Sequence, residues 1–313
     1  MANSEDSNKT SGIELRQSHH PNHKGLKNYI NHPNEVNKYN GNERVATPQS
    51  HRKFQNVYRK VGYGWVYKEV LPVSRNDIVV AVKRLNEQFG QGLKEFLTEI
   101  HLLSGQQHLN LISFLGYCDE GYEKIIVYEY TERGSLNRYI RRNRDATCAR
   151  LTWLERLKVC VGAARGLDHL HNHVGGHRTI VHRDIKSSNI LTDWNGVAKI
   201  SDLGLSKLIM MGFVLCGRLC ISECNDGFIL SGQLVRVEYK NKNVVKIIDP
   251  TIKGHFGSDS MTNFSAIAYR SLQDDREIRL TMDVVRKELE EMLEFQPTYA
   301  QMEATQPKHL LNL

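Results

Sequence analysis

One stretch limits what this chain can become. Residues 181–193 read V-H-R-D-I-K-S-S-N-I-L-T-D, and D-L-G follows at 202–204. The polar letters lie between apolar positions. Residues 198–202, A-K-I-S-D, read as a short strand that ends in a further carboxylate. The three letters H-R-D alone arise often by chance. Eight ordered letters, H-R-D-I-K-S-S-N, with a D-x-G behind them arise by chance in roughly one reading of a hundred.

Those letters resemble the catalytic loop of the eukaryotic protein kinases, H-R-D-L-x-x-x-N, and within that superfamily the receptor-like kinases of plants. The resemblance implies roles. Asp184 would be the base that accepts the substrate hydroxyl's proton, and Asn189 a magnesium ligand. Lys186, two residues after the base, is the lysine of serine/threonine kinases and would hold the γ-phosphate. Asp202, in D-L-G where the family has D-F-G, would be the second metal ligand. Phosphoryl transfer leaves a protein little covalent work. The protein must place a hydroxyl, an ATP and metal ions, and spread charge. A base and a metal ligand five residues apart on one loop suit that task.

The upstream half carries the partners this implies. Residues 59–67, R-K-V-G-Y-G-W-V-Y, resemble a glycine-rich loop aligned on Val66, with Gly62 and Gly64 present. Arg59 and Val61 replace the first two glycines, and a valine there hinders close approach to phosphate. Residues 78–83, I-V-V-A-V-K, form an apolar strand ending in Lys83, which would pair with the α- and β-phosphates. Sixteen residues on, Glu99 falls beside Phe96, Leu97, Ile100 and Leu103 at helical spacing. By resemblance it ion-pairs with Lys83. Residues 108–118 and 125–130 read as two more strands. Tyr128 would stand at the back of the adenine pocket. Glu129, Tyr130 and Thr131 would face adenine, and Val66, Ala81 and Leu191 would complete the ATP site.

A helical half follows. Residues 134–136, G-S-L, open one helix. T-W-L-E at 152–155 is a capping box for the next, which runs to about 171 with Leu154, Leu157, Val161, Ala164 and Leu167 on one face. After Lys207 the resemblance breaks. The family's activation segment, its Pro-Glu, and the start of the helix behind it have no counterpart. Residues 208–220 resemble the end of that helix, so several dozen residues are missing. The platform that receives a peptide substrate is therefore absent. Arg279, matching the arginine that pairs with the missing Pro-Glu, would bear an uncompensated charge if buried. Residues 247–250, 264–269 and 274–282 resemble the last helices of plant receptor-like kinases. Met282, Val285, Leu289 and Met292 mark a final amphipathic helix, with Thr281 as its cap.

Metal chemistry outside the kinase pattern finds little support. His19, His20, His23, His32 and His51 lie in a polar stretch without paired cysteines or H-x-x-x-H spacing. His169, His171, His173 and His177 alternate near a helix end, where histidines are usually solvated or capping. Cys216, Cys220 and Cys224 would share a face if helical, but lack a fourth ligand.

Composition excludes several other classes. A net charge of +7 on 313 residues, without a basic run interleaved with aromatics, argues against a nucleic-acid partner. Six scattered cysteines suit a reducing compartment. The start, M-A-N-S-E-D-S-N-K-T, is no signal peptide, and Ala2 excludes N-myristoylation. Gly217 and Arg218 break the longest apolar run, 208–221, so no transmembrane segment is expected, nor the receptor half of such relatives.

The sequence thus predicts an α+β, bilobal protein-kinase-like fold. A small antiparallel β-sheet N-lobe with one key helix (about 53–130) would sit above a mainly α-helical, incomplete C-lobe (about 131–295). Polar tails, 1–52 and 296–313, are predicted to be disordered. The resemblance implies a serine/threonine kinase that takes ATP and Mg2+ and acts on a protein substrate or signalling partner. Its location would be cytoplasmic, with the inner face of the plasma membrane reached through partners. The alternative is a pseudokinase or scaffold that binds nucleotide without transferring phosphate. A remnant whose C-lobe packs poorly is a third reading. The missing activation segment and Val61 predict weak nucleotide binding and little or no peptide phosphorylation. The oligomeric state is left open.

Overall fold

A computed structural model describes residues 57–61, 64–73, 76–85, 91–104, 106–120, 123–140, 149–172, 186–202, 210–217, 221–224, 227–273, 275 and 277–296. Gly62, Asp184, Lys207 and Cys220, and both predicted tails save residue 296, lie outside these residues.

The upper layer is a five-stranded antiparallel sheet in the order β1-β2-β3-β5-β4. Its strands are β1 (Val57–Val61), β2 (Gly64–Val73), β3 (Asn76–Leu85), β4 (Phe114–Glu120) and β5 (Glu123–Glu129). Alternation along β3 divides the lobe. Val80 and Val82 join Tyr67, Cys118, Ile125 and Val127 in a small cluster on one face. Ala81 and Leu85 belong to the main core on the other, with Ile126 and Tyr128. Helix α1 (Gln91–Leu103) covers that second face. Phe96 and Leu103 are fully buried in it. Leu97, expected on the same apolar face, instead points outward and is 53% exposed.

The strand predicted from residue 108 begins only at Phe114. Residues 108–113 instead make a turn, closed by Leu111 N donating to His108 O, and a short bridge to the lower lobe. Residues 134 and 135, expected to open a helix, form strand β6 (Gly134–Ser135). It pairs with β7 (Ile190–Thr192), and β7 pairs with β8 (Ala198–Ile200). Helix α2 (Asn137–Ile140) follows β6.

The lower lobe is built around α3 (Trp153–Asn172), which is buried on nearly every side. Its capping box forms as predicted. Glu155 N donates to Thr152 Oγ1 at 3.3 Å, and Thr152 N donates to Glu155 Oε2 at 2.9 Å. Trp153 packs against Phe256 and Phe264. Around α3 lie α4 (Met210–Cys216), the hairpin β9 (Ile221–Cys224) with β10 (Gly227–Leu230), α5 (Ser231–Lys240), a 3-10 turn (Val244–Lys246), α6 (Ser258–Ser271) and α7 (Met282–Glu294). Met282, Val285, Leu289 and Met292 are all buried on α7, as the periodicity predicts. Thr281 is the N-cap, but its hydroxyl donates to Asp283 rather than capping a backbone N–H. Cys216 ends a helix and Cys224 ends a strand, so these cysteines share no helical face. Arg279 is only half buried and donates to Gln273 O at 2.7 Å. Among the described residues, no helix is long and apolar enough to cross a membrane.

Candidate active site

The cleft between the lobes is built from strand register. In the β3–β5 pair Ala81 faces Tyr128 and Lys83 faces Ile126, while Val66 of β2 faces Lys83. Partners opposite one another share a face, so Val66, Ala81, Lys83 and Tyr128 all look into the cleft. Helix α1 sets Glu99 three residues after Phe96, on the side turned to the sheet.

Lys83 Nζ donates to Glu99 Oε2 at 2.8 Å and to Asp202 Oδ1 at 2.7 Å. Burial opposes the charge on Lys83. The Glu99 and Asp202 carboxylates outweigh it and hold the lysine above its ordinary pKa. The result is an ammonium held between two carboxylates. The Tyr128 hydroxyl donates to the other Glu99 oxygen. Burial, and next to it the Glu99 charge, push the Tyr128 pKa well above its usual value, so the phenol stays a donor.

Asp202 has φ +64°, in the left-handed region. Short polar side chains tolerate that region better than most, but it still costs about 1 kcal/mol or more. The ion pair with Lys83 and the backbone below hold it there. Ser201 N donates to Asn189 O at 2.9 Å, and Asn189 N to Lys186 O at 2.9 Å. The residue before Asp202 is thereby tied to Asn189. Both side chains present hard oxygen atoms to the same cleft, which is the donor type that suits magnesium.

Two glycines of α3 fix the strand that carries Asp202. A Cβ on Gly162 would lie 3.1 Å from Ala198 Cβ, and one on Gly166 would lie 2.6 Å from Asn110 O and 3.0 Å from Ile200 Cδ1. Strand β8 therefore rests directly on the helix. Asn110 completes the seat, with Asn110 Nδ2 donating to Ala198 O at 2.8 Å and Ile200 N donating to Asn110 O at 2.9 Å.

The cleft holds about 620 Å³ of space, the open solvent at its mouth included. Val66, Ala81, Lys83, Glu99, Tyr128, Glu129, Tyr130, Thr131, Asn189, Leu191 and Asp202, all singled out from the sequence, line it. Gly64 stands at the start of β2, where a Cβ would meet Arg84 O at 2.6 Å; its role is to let β2 and β3 close up. Lys186 is half buried at the start of the segment leading to Asn189. Ile112, Ser188 and Ser201 also line the cleft and were not anticipated. The last two adjoin Asn189 and Asp202, so adjacency to those residues was the available signal. Ile112 had none, because its stretch read as an ordinary strand.

A bilobal fold with a lysine–glutamate pair and a D-x-G aspartate in the cleft defines the protein kinase class. The chain belongs to it: the family described as protein tyrosine and serine/threonine kinase matches residues 54–212. Members of that family generally use ATP with magnesium.

The relatives lie in the plant receptor-like branch. The receptor-like protein kinase ANXUR1 of Arabidopsis thaliana is 35% identical over 284 residues, covering 78% of this chain and 32% of its own. The probable receptor-like protein kinase At2g23200 of the same plant is 33% identical over 282 residues, covering 77% and 33%. A third, At2g39360, is 52% identical over 146 residues, covering 47% and 17%. The chain thus spans about a third of the length of the first relatives it matches. The 282 aligned positions exceed 77% of 313 residues, so several dozen positions of that relative face no residue here.

Proposed function

We propose that the chain is a serine/threonine protein kinase that transfers the γ-phosphate of Mg-ATP to hydroxyls of a protein. Its kinase domain would run over about residues 53–295, between polar tails 1–52 and 296–313. The observation that carries the reading is the placement of Lys83. One ammonium is held by Glu99 on α1 and by Asp202, two residues beyond β8, which supports a role for Lys83 at the α- and β-phosphates.

In this reading the adenine lies between Val66, Ala81 and Leu191, beside the backbone of Glu129–Thr131. Asn189 and Asp202 would hold magnesium, which neutralises charge on the phosphates when bound. Lys186 would steady the γ-phosphate. Asp184 would orient the attacking hydroxyl and take its proton. The absent platform bears on how tightly a peptide docks, not on the transfer step, so a generic peptide is expected to be a poor but real substrate. The protein would act in the cytoplasm and reach the plasma membrane's inner face through partners.

The test is phosphotransfer from labelled Mg-ATP by the full chain, with Asp184→Asn alongside. Label that depends on Asp184 supports the proposal. No label from a folded chain that still binds Mg-ATP would replace it with a nucleotide-binding scaffold.

A further inference from the structure

We infer that Lys199 positions the adenine end of the cleft by acting through the Glu129 carboxylate; this rests on the Mg-ATP reading above. Glu129 is the last residue of β5, and it lines the cleft. Its Oε1 accepts three hydrogen bonds: from Ser113 N at 2.7 Å, Ser113 Oγ at 2.7 Å and Lys199 Nζ at 3.1 Å. Its own N donates to Ser113 O at 3.0 Å. One oxygen with three donors fixes the side chain, and through it the strand end that would face the base.

Lys199 comes from the opposite lobe. It is the middle residue of β8 and stands opposite Leu191 of β7. Opposed residues share a face, and Leu191 is part of the cleft wall. Lys199 therefore reaches from the floor of the cleft to the strand above it. Its side chain is 11% exposed and that of Glu129 is 27% exposed, so the pair is partly shielded from water and salt.

The two ends of the cleft are held differently. Strand β8 keeps its place through backbone bonds, Ile200 N to Asn110 O and Ile112 N to Ile200 O, each 2.9 Å. These survive loss of the lysine side chain, so Asp202 should stay where it is. Without Lys199, among the described residues, the Glu129 carboxylate keeps only the two Ser113 donors, while its backbone stays bonded to Ser113 O. Removing Lys199 should loosen the adenine end and spare the phosphate end. Lys199 is thus a positioning residue for nucleotide affinity.

The test is Mg-ATP binding by calorimetry on the full chain, joined to phosphotransfer kinetics. Lys199→Met should weaken Mg-ATP about fivefold to tenfold and raise KM for ATP alike, with kcat within about twofold of wild type. Lys199→Arg should restore affinity to within about twofold. Glu129→Gln keeps a side-chain acceptor for Ser113 and should show a similar loss. The double variant should be no weaker than the weaker single one, because both remove one contact. Wild-type affinity in Lys199→Met overturns the inference, as do losses that multiply in the double variant. If Lys199→Met fails to fold, Glu129→Gln decides alone: unchanged Mg-ATP affinity overturns the inference. Failure of the wild-type chain to bind Mg-ATP overturns the reading of the cleft itself, a separate outcome. Lys83→Met, run as control, should lose binding with Lys199 untouched.

Discussion

Arg156 and Asp249, 93 positions apart, meet at 2.7 Å with both side chains buried. The guanidinium also donates to Leu151 O, Val214 O and Thr251 Oγ1. One arginine on α3 therefore clamps the carbonyl of Val214 in α4 and the turn after the 3-10 segment. This clamp draws α4 and the turn at 249–251 onto the lobe's central helix.

Removing one partner of a buried, hydrogen-bonded ion pair leaves the other uncompensated. Asp249→Asn is expected to destabilise the protein by about 3–5 kcal/mol, read as a lower midpoint in urea. The pair also sets an acid limit. Burial works against the Asp249 charge, but the bonds from Arg156 and Thr251 prevail and lower its pKa from 3.8. The unfolded chain takes up that proton first as pH falls. The stabilisation is therefore complete above the unfolded value and is lost as pH drops through the folded one. Wild type should lose stability in that acidic window, and Asp249→Asn should lack this component.

Gly217 follows α4 with φ +62°, and a Cβ there would stand 2.5 Å from Asp249 Oδ2. Gly217→Ala thus meets a strained backbone and a carboxylate already held by Arg156. The strain alone is about 1–2 kcal/mol. A total loss above about 2 kcal/mol is expected in chemical denaturation. A loss under 1 kcal/mol would mean that the clamp around Asp249 yields readily.

Tyr128→Phe removes the hydroxyl that donates to Glu99 while keeping the ring. A hydrogen bond to a buried charge is worth about 1.5–3 kcal/mol, so that loss of stability is expected in thermal or urea melts. Lys83 still pairs with Glu99, and Mg-ATP affinity should change less than it does in Lys83→Met. If Tyr128→Phe instead abolishes nucleotide binding with stability unchanged, the tyrosine contacts the nucleotide directly.

Most residues that line the cleft were legible because their patterns are local. Lys83 near the end of β3, Glu99 on a helical face and the loop around Asn189 each carry their own short pattern. The fold places them together along the register of β3, β5 and β8. What the sequence hid is long-range or sits at element edges. Residues 108–113 read as strand because they are apolar, yet Asn110 turns them and spends its side chain on Ala198. Leu97 fits the helical period but falls at the rim of the buried face. Gly134 and Ser135 look like a helix start until β7 offers them Thr192 and Leu191 as partners. Glycines 162 and 166 gave no signal, since their function lies in what approaches them and not in their own conformation.

Gly166 allows a sharp test of how Asp202 is placed. Gly166 lies where α3 meets residue 110 and strand β8, with Asn110 O only 2.6 Å from where a Cβ would stand. A backbone carbonyl cannot swing aside as a flexible side chain can. Gly166→Ala must push the 110 segment and β8 off the helix, and Asp202 is two residues beyond β8. Overpacking of this kind costs about 1–3 kcal/mol, despite the gain in helix propensity of about 1 kcal/mol from replacing glycine. The variant should melt lower and bind Mg-ATP several-fold more weakly. Gly116→Ala is the internal control, because a Cβ there meets nothing within 4 Å. It should leave stability within about 1 kcal/mol of wild type and nucleotide affinity unchanged. Equal behaviour of the two variants would mean that the seat of β8 on α3 does not set the position of Asp202.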